Sequence, residues 1–160
     1  VGYVPNTFVA DLNLSQQGEN DLANRFMANG WTVTTTQDKD FFSQYDLTVS
    51  RRGLEVNVEF KHDVLSDATG NACVEVSKTV NGIKKKSGLS ATTAMFYVFK
   101  FGVKDDNYYA INTSALRTYI KNNAHVLSRT SGGDGGRSNL VLIPLDTFKK
   151  VIKPILLKTE

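Results

Sequence analysis

Hydrophobic and polar positions follow two periods along this chain. Leu22, Ala23, Phe26 and Met27 recur at i, i+1, i+4 and i+5, which makes one apolar stripe on a helix over about 16–29. Ser15 is a candidate cap for that helix, and Asn29-Gly30 a stop signal. From Trp31 the period changes to two. "WTVTTT" (31–36) reads as a strand, and "YDLTVS" (45–50) and "LEVNVEFK" (54–61) alternate around Arg52-Gly53 as a hairpin. "ACVEVSK" (72–78) is a further alternating strand. "AMFYVFKF" (94–101) is almost continuously apolar, as in a central strand buried on both faces, and "NYYAIN" (107–112) is a strand able to pair with it. Thr113 would cap a helix carrying Leu116, Tyr119 and Ile120. "NLVLIPL" (139–145) is a late strand, and Asp146 would cap a last helix to about Lys153, ended by Pro154. This order predicts an α/β fold with a mixed central β-sheet flanked by helices, as one domain over 1–160 with its core at about 15–145.

Composition narrows the class. With 160 residues, 41% hydrophobic and 22% charged, the chain has the make-up of one globular domain. No apolar run approaches the ~20 residues of a membrane span, and the first residues lack a signal-peptide pattern. Cys73 is the single cysteine, so neither an intrachain disulfide nor a cysteine-built zinc site can form. A reducing, cytoplasmic setting is expected. The net charge of +3 and pI of about 9.0 lean toward an anionic partner such as nucleic acid.

The candidate chemistry centres on "VEFKHD" (58–63). On a strand, Val58 and Phe60 point one way, and Glu59 and Lys61 the other. A solvent-facing ion pair is one explanation, and a metal site with a lysine beside it is another. If Arg52 and Gly53 are the two turn residues, Ser50 faces Glu55, Thr48 faces Asn57, and Asp46 faces Glu59. Side chains directly opposite lie roughly 5 Å apart. Two carboxylates at that separation repel unless a proton or cation joins them, and Mg²⁺ suits such hard oxygens. The Phe60 backbone carbonyl offers a third ligand, and the Lys61 ammonium can hold a water beside the ion. Glu19 falls on the helix stripe that faces the sheet. It either reaches the outer shell of that metal or lies at the rim, favoured there by the helix dipole. Glu75 is either a further acid near the site or a solvent-facing strand residue.

Lys84, Lys85 and Lys86 lie in the polar stretch 80–93, as phosphate contacts or as a solvated loop. In the glycine-dense stretch 131–139, Arg129 and Arg137 flank the loop around Asp134, and either grip phosphate or belong to a surface loop. That stretch, around Asp134, lacks the lysine of a P-loop, so no nucleotide cofactor is expected. Phe41-Phe42 could stack on bases or pack as a loop. His62 alternates away from Lys61 and reads as structural, and with His125 it makes too few histidines for a histidine-built metal site.

Asp46, then Glu59-Phe60-Lys61 on the next strand, after a helix bearing Glu19, resembles the PD-(D/E)XK nuclease superfamily. "GENDLANRFMANGWTV" resembles that family's first helix and strand. "GNACVEVSKTVNGIKKKSGLSATTAMFYVFKF" resembles its phage-type members, in which an acidic strand precedes an "sGl…T" turn and an aromatic strand. The likeness covers roughly residues 15–101, and Tyr45 stands at the nominal proline of the motif. The resemblance implies a restriction endonuclease-like core and a Mg²⁺-dependent DNA endonuclease, with Mn²⁺ as a substitute ion. Asp46 and Glu59 would bind the metal, Lys61 would assist the attacking water, and Glu19 matches the helix-borne acid of many members. Recombination, junction resolution or DNA processing in a phage setting would be the context, in the host-cell cytoplasm. A homodimer would let two sites cut two strands. The alternative is a non-catalytic nucleic-acid-binding module on the same fold.

Overall fold

A computed structural model of the chain describes residues 5–35 and 45–155. Phe41-Phe42 lies outside the described residues, as does Thr36 at the end of the first expected strand. Helix α1 (Pro5–Ala28) leads into β1 (Thr32–Thr35), β2 (Leu47–Arg51) and β3 (Leu54–Asp63). After the short turn α2 (Ser66–Thr69) come β4 (Asn71–Val80), β5 (Ile83–Lys85), β6 (Phe96–Phe101) and β7 (Tyr109–Asn112). Helix α3 (Thr113–Asn122), β8 (Ser128–Gly132), β9 (Ser138–Pro144), α4 (Leu145–Phe148) and β10 (Lys153–Pro154) complete the order.

The strands form two sheets. The first runs β1-β2-β3-β6-β7-β10 and is mixed: β3 and β6 are parallel, and the other neighbours are antiparallel. The second is antiparallel, in the order β5-β4-β9-β8. The mixed α/β architecture with flanking helices is therefore as the sequence pattern predicts, with the second sheet as an addition. As expected, β6 is central, with Tyr97, Val98, Phe99 and Phe101 all buried. Its two faces feed two cores. Val98 joins Leu22, Phe26, Leu47, Val49, Val58 and Phe60 beneath α1. On the other face Tyr97, Phe99 and Phe101 stack in series, 5.7 and 5.6 Å between centroids, and meet Val74, Val141 and Phe148.

Several boundaries differ from the sequence pattern. Helix α1 starts at Pro5, so Ser15 is interior to it; proline is well tolerated in a first helical turn. Gly30, at φ +86°, does end the chain segment after α1. Met27 is half exposed, at the margin of the stripe. The α3 cap is Asn112 rather than Thr113, and its side chain accepts from the Ser114 and Ala115 amides. Helix α4 is a single turn, and Pro154 lies in an edge strand paired with β7 instead of terminating a helix.

Both polar stretches hold strands. Asn81 and Gly82 both have positive φ and close a β4–β5 hairpin, which places Lys84 and Lys85 on a strand. The glycine-dense stretch is the β8–β9 connection: Ser131 and Gly132 pair with Asn139 and Ser138, and 133–137 form the turn between them. Among the described residues no helix is long and apolar enough to cross a membrane.

The turn at residues 88–90 presses on β4. Gly88 has φ +52°, and a Cβ there would lie directly against the Glu75 carbonyl oxygen. Gly88→Ala is therefore expected to destabilise the fold by about 2 kcal/mol or more, from left-handed strain plus a backbone clash. Urea unfolding checks this, and an unchanged midpoint would contradict the packing described.

Candidate active site

The site begins with the β2–β3 hairpin. Arg52 and Gly53, at φ +52° and +78°, make a two-residue turn with both central residues left-handed. This sets the register Ser50↔Glu55 and Thr48↔Asn57, as expected, and the ladder ends at Leu47↔Val58. Asp46 lies one residue past that last pair. Its amide donates to the Val58 carbonyl at 2.9 Å, and its Oδ2 accepts from the Phe60 amide at 2.8 Å. Asp46 is thus fastened to β3 by its own carboxylate, not through a ladder pairing with Glu59.

Burial of Val58 and Phe60 beneath α1 turns Glu59 and Lys61 to the other face. That face is covered: Glu59 is only 8% exposed. The simple solvent-facing ion pair is therefore not what the strand holds. Lys61 Nζ stands 3.6 Å from Glu59 Oε1, while Glu59 Oε2 is buried with no hydrogen-bond partner among the described residues. The Tyr97 hydroxyl, on the paired position of β6, is another buried polar atom without a hydrogen-bond partner among the described residues.

Electrostatics bind the acids into one cluster. Burial, then the Asp46 charge, push the Glu59 carboxyl up to about 7, against the lowering effect of Lys61; Glu19 adds a smaller upward push. Burial and the Asp46 charge likewise raise Glu19 to about 7. Asp46 is raised by burial, opposed by the Phe60 amide and Lys61. Glu19 comes this close because Gly18 has no side chain. A Cβ there would be 2.8 Å from the Phe60 ring, so the glycine lets α1 settle on β3. The Tyr108 hydroxyl fixes the same turn through Asp21 (2.6 Å) and the Gly18 carbonyl (3.2 Å).

The fold therefore brings Asp46, Glu59, Lys61 and Glu19 together. Glu75 is half-buried on β4, where it accepts a short hydrogen bond from Ser138. Its charge acts on the same Tyr97 hydroxyl as those of Glu59 and Asp46. Lys84, Lys85, Lys86, Arg129 and Arg137 are all exposed, on or beside the second sheet. His62 has its ring nitrogens at the Leu14 and Gly102 carbonyls, 3.3 and 2.6 Å away, which is a structural tie. Tyr97 escaped the sequence reading because it looks like one more aromatic of a buried strand. Only its β6 register opposite Glu59 singles it out. Among the described residues no three His, Cys, Asp or Glu side chains converge as a ready-made metal cage. Two carboxylates and the Phe60 main-chain carbonyl are what Asp46 and strand β3 can offer a cation.

The architecture has a known counterpart. The chain is similar in structure to a bacterial homing endonuclease, I-Ssp6803I, with a TM-score of 0.51. The match spans 84% of this chain and 76% of the other at 18% sequence identity, a likeness of fold. No protein-family model matches the sequence, and no curated protein matches it.

The raised acids make stability depend on pH in a defined direction. A carboxyl raised from 4.5 to about 7 holds its proton more tightly when folded. Its stabilising contribution is full below the unfolded value and is lost as pH rises through about 7. In metal-free buffer, Glu59→Gln should gain on the wild type by about 1–3 kcal/mol at about pH 8 and show no gain near about pH 4. Thermal denaturation across that range is the check, and a gain equal at both ends would contradict the assigned cause.

Proposed function

We propose that the chain is a divalent-metal-dependent endonuclease that hydrolyses phosphodiester bonds in DNA. The observation that carries this reading is the convergence of Asp46 and Glu59 on one end of β3, with Glu59 Oε2 unpartnered and the Lys61 ammonium alongside. The likeness of fold to a protein named as a homing endonuclease supports the same class of activity.

The donor set fits a hard cation. The Asp46 and Glu59 carboxylates and the Phe60 carbonyl would hold Mg²⁺, or Mn²⁺ in its place, with waters completing the shell. Both carboxyls are pushed above their ordinary range, a strain that a doubly charged ion relieves. When bound, such an ion stabilises charge on the phosphate and makes water a stronger acid. The side chains do the rest. Lys61, partly exposed and tethered to Glu59, orients the attacking water by donating to it, or donates to a phosphate oxygen as charge grows there. Glu19 contributes an acid outside the metal-binding pair. Burial of Glu59 keeps bulk water from competing for these groups. Two copies paired as a homodimer would present two such sites to the two strands of a duplex or junction.

Asp46→Asn is the informative variant, since it keeps an acceptor for the Phe60 amide while removing the charge. It is expected to lower cleavage of duplex or four-way-junction DNA in Mg²⁺ by at least about a hundredfold, with the fold intact. Mg²⁺ should also raise the wild-type melting temperature more at about pH 8 than at about pH 5, because ionised carboxylates bind it, and should not raise that of the variant. Full cleavage by Asp46→Asn would overturn the residue assignment. Binding without cutting in any divalent metal would favour a nucleic-acid-binding module on this fold.

A further inference from the structure

A second charged feature lies between α3 and the second sheet. Helix α3 and the second sheet flank an open cavity of about 440 Å³, lined by the apolar Val76, Leu89 and Ile120 and by Arg117 and Lys121. An adjoining cavity of about 430 Å³ is lined by Thr79, Thr130, Ser131 and Asn139. Ser77, Lys84 and Arg129 line both, so the two form one furrow.

The chemistry of this furrow is one-sided. Lys84 comes from β5, Arg117 and Lys121 from successive turns of α3, and Arg129 from β8. Among the described residues no carboxylate lines either cavity. None of the ion pairs among the described residues involves these four cations. Arg117 is held in place by donating to the Leu89 carbonyl (3.2 and 2.9 Å) and to that of Thr92 (3.0 Å). Asn139 Nδ2 donates to the Ser77 and Thr79 hydroxyl oxygens, which leaves their protons available to an acceptor. Four like charges with oriented donors and no acid between them repel one another until an anion joins them. A single phosphate would occupy only part of the furrow.

We propose that this furrow holds the sugar–phosphate backbone of a DNA strand beyond the point of cleavage; the choice of DNA among polyanions rests on the endonuclease reading. Arg117, which lines the furrow, is held at the Leu89 and Thr92 carbonyls, on the chain segment that leads into β6, whose Tyr97 is the register partner of Glu59. Lys85, Lys86 and Arg137, expected from sequence as phosphate contacts, do not line it, whereas Arg117 and Lys121 do. Ser77 and Thr79 serve as neutral donors, and the apolar lining accommodates the sugar faces.

The test is fluorescence anisotropy of a labelled duplex in EDTA, so that nothing is cut, over a series of salt concentrations. The triple variant Lys84→Ala/Lys121→Ala/Arg129→Ala changes exposed residues and spares Arg117, which braces the 88–92 turn. Expected are an affinity weakened about tenfold or more and a log–log salt slope shallower by about 2–3, whatever the DNA sequence. The corresponding Lys84→Arg/Lys121→Arg variant should bind like the wild type. Unchanged affinity and slope in the triple variant, or a loss of affinity with no change of slope, would overturn the proposal. Asp46→Asn keeps every furrow cation, so its cleavage tests the endonuclease reading separately. If the wild type never cuts but the triple variant alone loses DNA, the furrow stands and the endonuclease reading falls.

Discussion

The register of strand β3 is the constraint on which the rest depends. Val56, Val58 and Phe60 are buried beneath α1, each stabilising the fold by about 1.5–3 kcal/mol. A slip of one residue would exchange these three for polar neighbours. Their combined burial outweighs the penalty of holding one carboxyl away from water, which can be reduced by keeping its proton. Apolar packing on one face therefore dictates that Glu59 and Lys61 stand on the other. The cleavage chemistry proposed here is carried by residues whose position was fixed by their neighbours.

That second face is not solvent. β3 is an interior strand, and β6 beside it stacks Tyr97, Phe99 and Phe101 toward the second sheet. Glu59 is accordingly buried beside an aromatic core, with one oxygen unpartnered. Asp46 is secured by the Phe60 amide and cannot move off to relieve the repulsion. Such an arrangement is a poor one for stability in the ionised state, which is the usual mark of a site shaped for something other than stability.

Helix α1 supplies the third side. Gly18 permits a close approach that a Cβ would crowd against the Phe60 ring, and the Asp21–Tyr108–Arg25 contacts hold the same helix against Tyr108, the residue before β7. Glu19 is carried into the cluster by this docking. The basic furrow is separate in origin: it needs the second sheet and α3, and it borrows nothing from β3 directly.

The sequence by itself determined what local chemistry and periodicity control. The Arg52-Gly53 hairpin, its register and the facing of Glu59 and Lys61 follow from alternation of residue types around a turn, and the burial of β6 follows from its nearly continuous apolar run. Asn81-Gly82 carried an equally plain hairpin signal, masked by the lysines that follow it. Other features were decided by contacts distant in the chain. Sorting of the strands into two sheets depends on pairings such as β4 with β9, about which local pattern is silent. The termination of the β2–β3 ladder before Asp46 arises from the carboxylate's competition for the Phe60 amide. The meeting of Lys84, Arg117, Lys121 and Arg129 unites β5, α3 and β8, because only tertiary packing brings charges from separate elements to one furrow.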